Sequence, residues 1–145
     1  MDKLKVGDGP FDCSNNVEMV QMLFGKPGDQ DEHKYGVYKI KENKYVSFIY
    51  LAIKQPNGEW KPPSGASKNF KNIPNSDNSE FIRECCKERL KEKFTNPSDE
   101  FAIFTKTSKP EYSFYGIFMF KEENEDYSKC TFKRISTELN FEEWK

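Results

Sequence analysis

The stretch "SEFIRECCKERLKEKF", Ser79–Phe94, decides how the fold is read. Ile82, Cys86, Leu90 and Phe94 recur every four residues, and Phe81 and Cys85 widen the stripe to a helix-like apolar face. Asp77 and Glu80 fit a capping box ahead of it. Glu84 and Glu88 are spaced to pair with Lys87 and Lys91 on the wet side, and Asn96-Pro97 supplies a stop. The spacing predicts an amphipathic helix over 79–94 with one face on a sheet.

Strand patterns lie on both sides of it. Downstream, segments 100–107, 112–121 and 130–136 are apolar and β-branched or aromatic, with "EENEDYSK" as a loose hairpin between the last two. Upstream, 35–41 and 45–54 flank the polar turn "KENK", and "QPNGEW" carries turn chemistry leading into a short third strand at Glu59–Lys61. In "CSNNVEMVQMLFG", Ser14 or Asn15 can cap a short helix that Gly25 and Pro27 end. The C-terminal "STELNFEEW" suggests a last turn docking Leu139, Phe141 and Trp144. Residues 62–78, rich in Pro, Ser and Asn, read as a long mobile loop. Strands thus come in hairpin-linked groups. The expected class is α+β: one domain over 1–145, with a curved, mainly antiparallel sheet of five to six strands. The main helix 79–94 and the short N-terminal helix pack on that sheet.

The chain's 145 residues suffice for one buried core. Hydrophobic content is only 35%, so the 13 Phe and 7 Tyr must supply much of the buried area. No apolar run approaches a membrane span, and the N-terminus lacks a signal-peptide layout. The four cysteines, Cys13, Cys85, Cys86 and Cys130, show no C-x-x-C spacing; reduced, buried thiols in a cytoplasmic protein are expected.

"KYGVYKIKENKY" (Lys34–Tyr45) and "YSFYGIFMFKEENEDY" (Tyr112–Tyr127) echo one another, each placing a glycine, Gly36 or Gly116, between aromatics in a strand. A strand glycine marks a bend, a bulge or a close approach. Either the glycines let a curved sheet bend, or they floor a flat ligand walled by Tyr35, Tyr38, Tyr115 and Phe118.

"GVY" at Gly36–Tyr38 followed by "FIY" at Phe48–Tyr50 resembles the paired-strand motif of the GIY-YIG nucleases, with Tyr50 standing where that motif ends in glycine. The resemblance implies a catalytic arginine on a following helix and a metal-binding glutamate, for which Arg83 and Glu88 are at hand. Elsewhere the chain shows no catalytic set. His33, the single histidine, sits in the acidic run "GDQDEHK", and neither a zinc-ligand spacing nor a phosphate-binding glycine loop is present. No catalytic residue, metal or cofactor is assigned.

The total net charge of −1 hides an asymmetry. Residues 1–33 and 122–145 are acidic, whereas 34–71 hold eight lysines against Glu42 and Glu59. These lysines alternate with aromatics, the pairing that neutralises phosphates and stacks bases. The expectation is a non-enzymatic module that binds nucleic acid or a nucleotide-like anion. Its surface would comprise Tyr35, Gly36, Tyr38, Lys39, Lys41, Lys54, Trp60, Lys68, Lys71, Tyr115, Gly116 and Arg134. The competing expectation is a protein-interaction module, such as an inhibitor or accessory subunit of a phage or mobile element. Neither has a membrane partner.

Overall fold

The computed structural model describes residues 2–11, 15–25, 37–63, 70–85, 97–106, 112–124 and 128–145. Its main body is a mixed sheet of seven strands in the order β2-β3-β8-β9-β10-β7-β6. These are β2 (Val37–Lys41), β3 (Lys44–Tyr50), β6 (Phe70–Pro74), β7 (Glu80–Cys85), β8 (Glu100–Lys106), β9 (Ser113–Glu123) and β10 (Lys129–Ser136). Two strand pairs flank it: β1 (Lys3–Lys5) with β11 (Glu138–Asn140), and β4 (Ile53–Lys54) with β5 (Trp60–Lys61). Helix α1 (Asn16–Phe24) is the single α-helix among the described residues, and a 3-10 turn closes the chain at Phe141–Trp144.

The α+β expectation is therefore overturned, and the reason lies in the opening stretch. Residues Glu80–Cys85 form a strand between β6 and β10, with Phe81 opposite Phe132 and Arg83 opposite Cys130. In this register Phe81 is buried while Ile82, expected on the buried helix face, is 39% exposed. Alternation with period two won over the four-residue spacing, because neighbours on both sides satisfy the backbone of this segment. The rest of the expected helix, 86–94, lies outside the described residues. The sheet is also larger than expected and mixed, since β3 runs parallel to β8. Part of the expected 62–78 loop is strand: Phe70–Pro74 pairs with β7, with Pro74 at the end of a strand bordering the sheet, where proline is tolerated.

The local chemistry of the other elements follows their sequence. Asn15 caps α1 by accepting from the Glu18 N–H, and Gly25 ends it in the left-handed conformation. Glu42 and Asn43 make a two-residue turn joining β2 to β3, with Asn43 at φ 63°.

Bulges bend the sheet. Ile103 faces Gly116 and Phe104 faces Phe114, so Tyr115 is an extra residue on β9. Lys121 on β9 and Ile135 on β10 are extra in the same sense. Each insertion increases local twist. The sheet curls until β6 meets the end of β3: Leu51 bridges to Asn72, the Ala52 N–H donates to the Asn72 carbonyl at 2.9 Å, and the Asn72 side-chain amide donates to the Tyr50 carbonyl at 3.2 Å.

Curling separates two cores. Inside the curl lie Ile49, Phe81, Phe101, Ile103, Tyr115, Phe118, Cys130 and Phe132. Outside β2, β3, β8 and β9, a second core of Tyr38, Ile40, Val46, Phe48, Ala102, Phe104, Phe114 and Ile117 is roofed by Leu4, α1 and the C-terminal turn. Phe24 packs edge-on against Phe141 and beside the fully buried Trp144. The aromatic-rich composition thus fills two layers from one sheet.

Candidate nucleic-acid interface

Strand directions sort the sequence-selected residues by position. The C-terminal ends of β3, β6, β8 and β10 and the N-terminal ends of β7 and β9 point to one end of the curl. The β4–β5 hairpin emerges there directly after β3. It carries Lys54 and Lys61, both exposed, and the half-buried Trp60, with Lys54 opposite Trp60. Its tip is held by the Gln55 N–H donating to the Glu59 carbonyl at 2.7 Å and the Asn57 side chain accepting from the Glu59 N–H.

Lys106, at the end of β8, belongs to the same end, and sequence reasoning did not select it. Its ammonium lies over the rings of Tyr50 (4.7 Å) and Tyr112 (4.4 Å). Burial lowers its pKa, but the Tyr50 and Tyr112 phenols beside it more than offset this and hold it above the ordinary lysine value. Burial likewise raises the pKa of Tyr112. The cluster therefore keeps its positive charge across physiological pH. The register that sets Tyr50 beside Lys106 was not readable, because it depends on a parallel pairing across 56 residues of chain.

Arg134 and Gly116 also meet here. Gly116 has φ 128°, and a Cβ on it would stand 2.8 Å from Arg134 Nε and 3.0 Å from the Ser136 carbonyl oxygen. Glycine is needed both for the backbone conformation and for the arginine that crosses it. The Arg134 guanidinium lies over Tyr115 (5.0 Å) and Phe118 (5.4 Å), and its Nη2 donates to the Tyr115 carbonyl at 2.6 Å. Tyr115 is buried and donates to Asn78 Oδ1 at 2.7 Å. Burial raises the Tyr115 phenol pKa, with Arg134 opposing.

The lysines of β2 sit elsewhere. Lys44 and Tyr50 are the two ends of the seven-residue β3, about 20 Å apart along the strand. Lys39 pairs with Glu42 at 3.6 Å, Lys44 pairs with Glu100, and Lys41 donates to the Lys145 carbonyl at 3.3 Å. Desolvation and then the nearby Glu42 raise the Asp99 pKa there, with Lys39 pulling the other way. That end is mixed in charge. Lys71 stands opposite Glu84, which in turn faces Lys129, in an alternation of charges across the outer face.

The structure therefore brings together Lys54, Trp60, Tyr115, Gly116 and Arg134, and adds Lys61 and Lys106. It does not bring Tyr38 to Tyr115: Tyr38 is buried in the outer core, edge-on to Phe48, while Tyr115 is in the inner one. Tyr35, Gly36 and Lys68 lie outside the described residues. Arg83, which the nuclease resemblance would set on a helix, is on β7, 4.0 Å from the centre of the Phe70 ring and donating to Asn72 Oδ1 at 3.1 Å. Glu88 lies outside the described residues. Ser47 and Arg83 border a narrow space within the curl, otherwise walled by apolar side chains such as Phe101 and Phe132. Cys85 and Cys130 are free thiols, and no group of three His, Cys, Asp or Glu among the described residues is placed to hold a metal. No described helix is long and apolar enough to cross a membrane.

A strongly curled β-sheet with a basic, aromatic-backed end defines a small β-rich binding domain. The chain belongs to the SRA (SET and RING associated) domain family, which matches it over residues 11–141. This membership supports a DNA-binding module, in agreement with the coarse expectation of a nucleic-acid partner. Among solved structures, the fold is similar to part of the 5-hydroxymethylcytosine-specific restriction enzyme AbaSI. The TM-score is 0.52 and the identity 15%, over 77% of this chain and 35% of that one. The likeness thus concerns the fold and about a third of the enzyme's length. Among curated proteins, none matches the chain in sequence.

Proposed function

We propose that the protein is a non-enzymatic DNA-binding module that engages the duplex with the end of the curl carrying the β4–β5 hairpin, Lys106 and Arg134. Family membership carries the choice of DNA as ligand. The choice of surface is supported by four basic groups at that end, Lys54, Lys61, Lys106 and Arg134, two of them backed by aromatic rings. Phosphate contacts by such groups supply affinity, while Trp60 offers an aromatic face for a base or sugar. The name of the restriction enzyme whose fold it resembles makes DNA containing modified cytosine the first ligand to test.

The test is fluorescence anisotropy with labelled duplexes carrying cytosine, 5-methylcytosine or 5-hydroxymethylcytosine, over a range of salt concentrations. The expected result is binding whose affinity falls steeply with salt. Preference for one modified duplex would define the ligand further. No binding to any duplex at low salt would refute the proposal and return the chain to the protein-interaction reading, which the exposed Ile82 and Ile135 would then serve.

A further inference from the structure

Arg134 stands apart from the other basic groups because the chain has only partly satisfied it. Nη2 finds the Tyr115 carbonyl, but Nε is buried with no hydrogen-bond partner. A buried donor left unmet is costly, and chains rarely keep one without compensation. Here the fold goes further and maintains the arrangement. Gly116 leaves the gap through which the side chain passes, the Tyr115 bulge turns its carbonyl to the guanidinium, and the rings of Tyr115 and Phe118 support the cation's plane. The Arg134 N–H, by donating to the Ser79 carbonyl at 2.8 Å, ties the strand to the β6–β7 turn. In that turn the Asp77 carboxylate is occupied by the Ser79 hydroxyl and N–H rather than by the arginine. No ion pair to Arg134 is formed among the described residues.

We propose that Arg134 is a phosphate-contacting residue of the DNA interface, held ready by the Gly116–Tyr115 bulge. The proposal rests on the DNA reading given above and assigns the role of one residue within it. A planar guanidinium with its face supported by rings loses little further freedom on binding; with Nε buried and one Nη2 hydrogen on the Tyr115 carbonyl, the forked Nη1–Nη2 edge is the part left to meet phosphate oxygens. A lysine at this position would bring charge without the fork. A purely structural clamp would close the guanidinium on a carboxylate, and none pairs with it among the described residues.

The experiment compares the parent protein with Arg134→Gln and Arg134→Lys on one duplex across a salt series, and on duplexes of different sequence and cytosine modification at one salt. Melting curves of all three proteins are recorded alongside. Arg134→Gln is expected to weaken binding about 10- to 100-fold, equally for every duplex, and to make the salt slope shallower by about one. Arg134→Lys is expected to keep the slope and still lose affinity, because the charge remains and the fork does not. If Arg134→Gln does not fold, the lysine variant alone decides: parental affinity overturns the proposal. An unchanged slope and affinity in a folded Arg134→Gln protein assign the arginine to structure alone and overturn the proposal while leaving the DNA reading intact. A loss confined to one base or modification overturns the phosphate assignment in favour of a base contact. A parent protein that binds no duplex removes the DNA reading itself, and this proposal with it.

Discussion

Gly116→Ala tests the bulge that bends β9. Two costs combine at this position. The φ of 128° is a conformation that L side chains avoid, worth about 1–2 kcal/mol. The added Cβ would also stand 2.8 Å from Arg134 Nε and 3.0 Å from the Ser136 carbonyl oxygen. The arginine can give way, but Ser136 is backbone in a paired strand, so overpacking adds about 1–3 kcal/mol. The total, about 2–5 kcal/mol, corresponds to a fall in Tm of about 6–15 °C for a chain of this size. The control is Gly58→Ala in the β4–β5 turn, where φ is 88° but a Cβ meets nothing within 4 Å. It carries the conformational cost alone, about 1–2 kcal/mol. Urea unfolding of both variants, read by tryptophan fluorescence and circular dichroism, separates the terms. If Gly116→Ala costs no more than Gly58→Ala, within about 0.5 kcal/mol, the close approach of Arg134 and Ser136 is not what fixes glycine there.

Other consequences follow from the same geometry. Trp144→Ala, which empties a fully buried site beneath α1, should destabilise by about 3–5 kcal/mol in chemical denaturation; a loss below 1 kcal/mol would mean the C-terminal turn is not part of the outer core. Lys54→Glu with Lys61→Glu should reduce duplex affinity sharply and flatten its salt dependence, whereas Lys39→Glu with Lys41→Glu should change it little; the reverse ranking in anisotropy titrations would place the interface at the wrong end. Asp99, whose pKa is raised first by desolvation and then by Glu42, binds its proton more tightly in the folded chain, so its contribution is favourable at low pH and is lost as pH rises through the folded value. Asp99→Asn should therefore raise Tm relative to the parent near neutral pH and not below the carboxylate range; an equal effect at both pH values in calorimetry would contradict the assignment.

Most strand positions were legible because short apolar runs bounded by turn residues have few other solutions. The "KENK" and "QPNG" turns, the Asn15 cap and the buried Leu139, Phe141 and Trp144 all fall where local chemistry puts them. Segment 79–94 misled for a physical reason. It satisfies a helical period over its whole length, whereas the strand Glu80–Cys85 turns the charged Arg83 inward and Ile82 outward, so no polar–apolar alternation marks it and neither glycine nor proline arbitrates. What decides is the presence of β6 and β10 on either side, a tertiary fact. Strand β6 was hidden because its inward position holds Asn72, a polar residue that is satisfied only once Tyr50 and Arg83 arrive. Of the residues at this end, Lys54, Trp60, Tyr115, Gly116 and Arg134 were selected from the lysine–aromatic alternation, the glycine echo and the charge of the last strand alone. Lys106 was missed because its ring partners come from different strands: Tyr50 is brought beside it only by the parallel pairing of β3 with β8, and neither Tyr50 nor Tyr112 is adjacent to it in sequence.

The charge asymmetry of the sequence shows why such selection is only half sufficient. The lysines of 34–71 form one basic segment along the chain, but β3 separates Lys39, Lys41 and Lys44 at one end of the sheet from Lys54 and Lys61 at the other. At the β2–β3 turn they meet the acidic groups that the rest of the chain brings there: Glu42 beside Lys39 and Glu100 beside Lys44. Trp144 also lies under Lys44, and the Lys145 carbonyl accepts from Lys41. At the hairpin end the neighbours are instead Lys106 over its tyrosines and Arg134 over its bulge, and among the described residues none of Lys54, Lys61, Lys106 and Arg134 forms an ion pair. Lysines already paired with carboxylates attract a polyanion weakly, because the field beyond the pair is cancelled within a Debye length. Cations backed by aromatic rings keep their outward field. The sequence of the basic segment thus names the lysines, and the parallel pairing of β3 with β8 decides which of them stand beside Lys106 at the hairpin end.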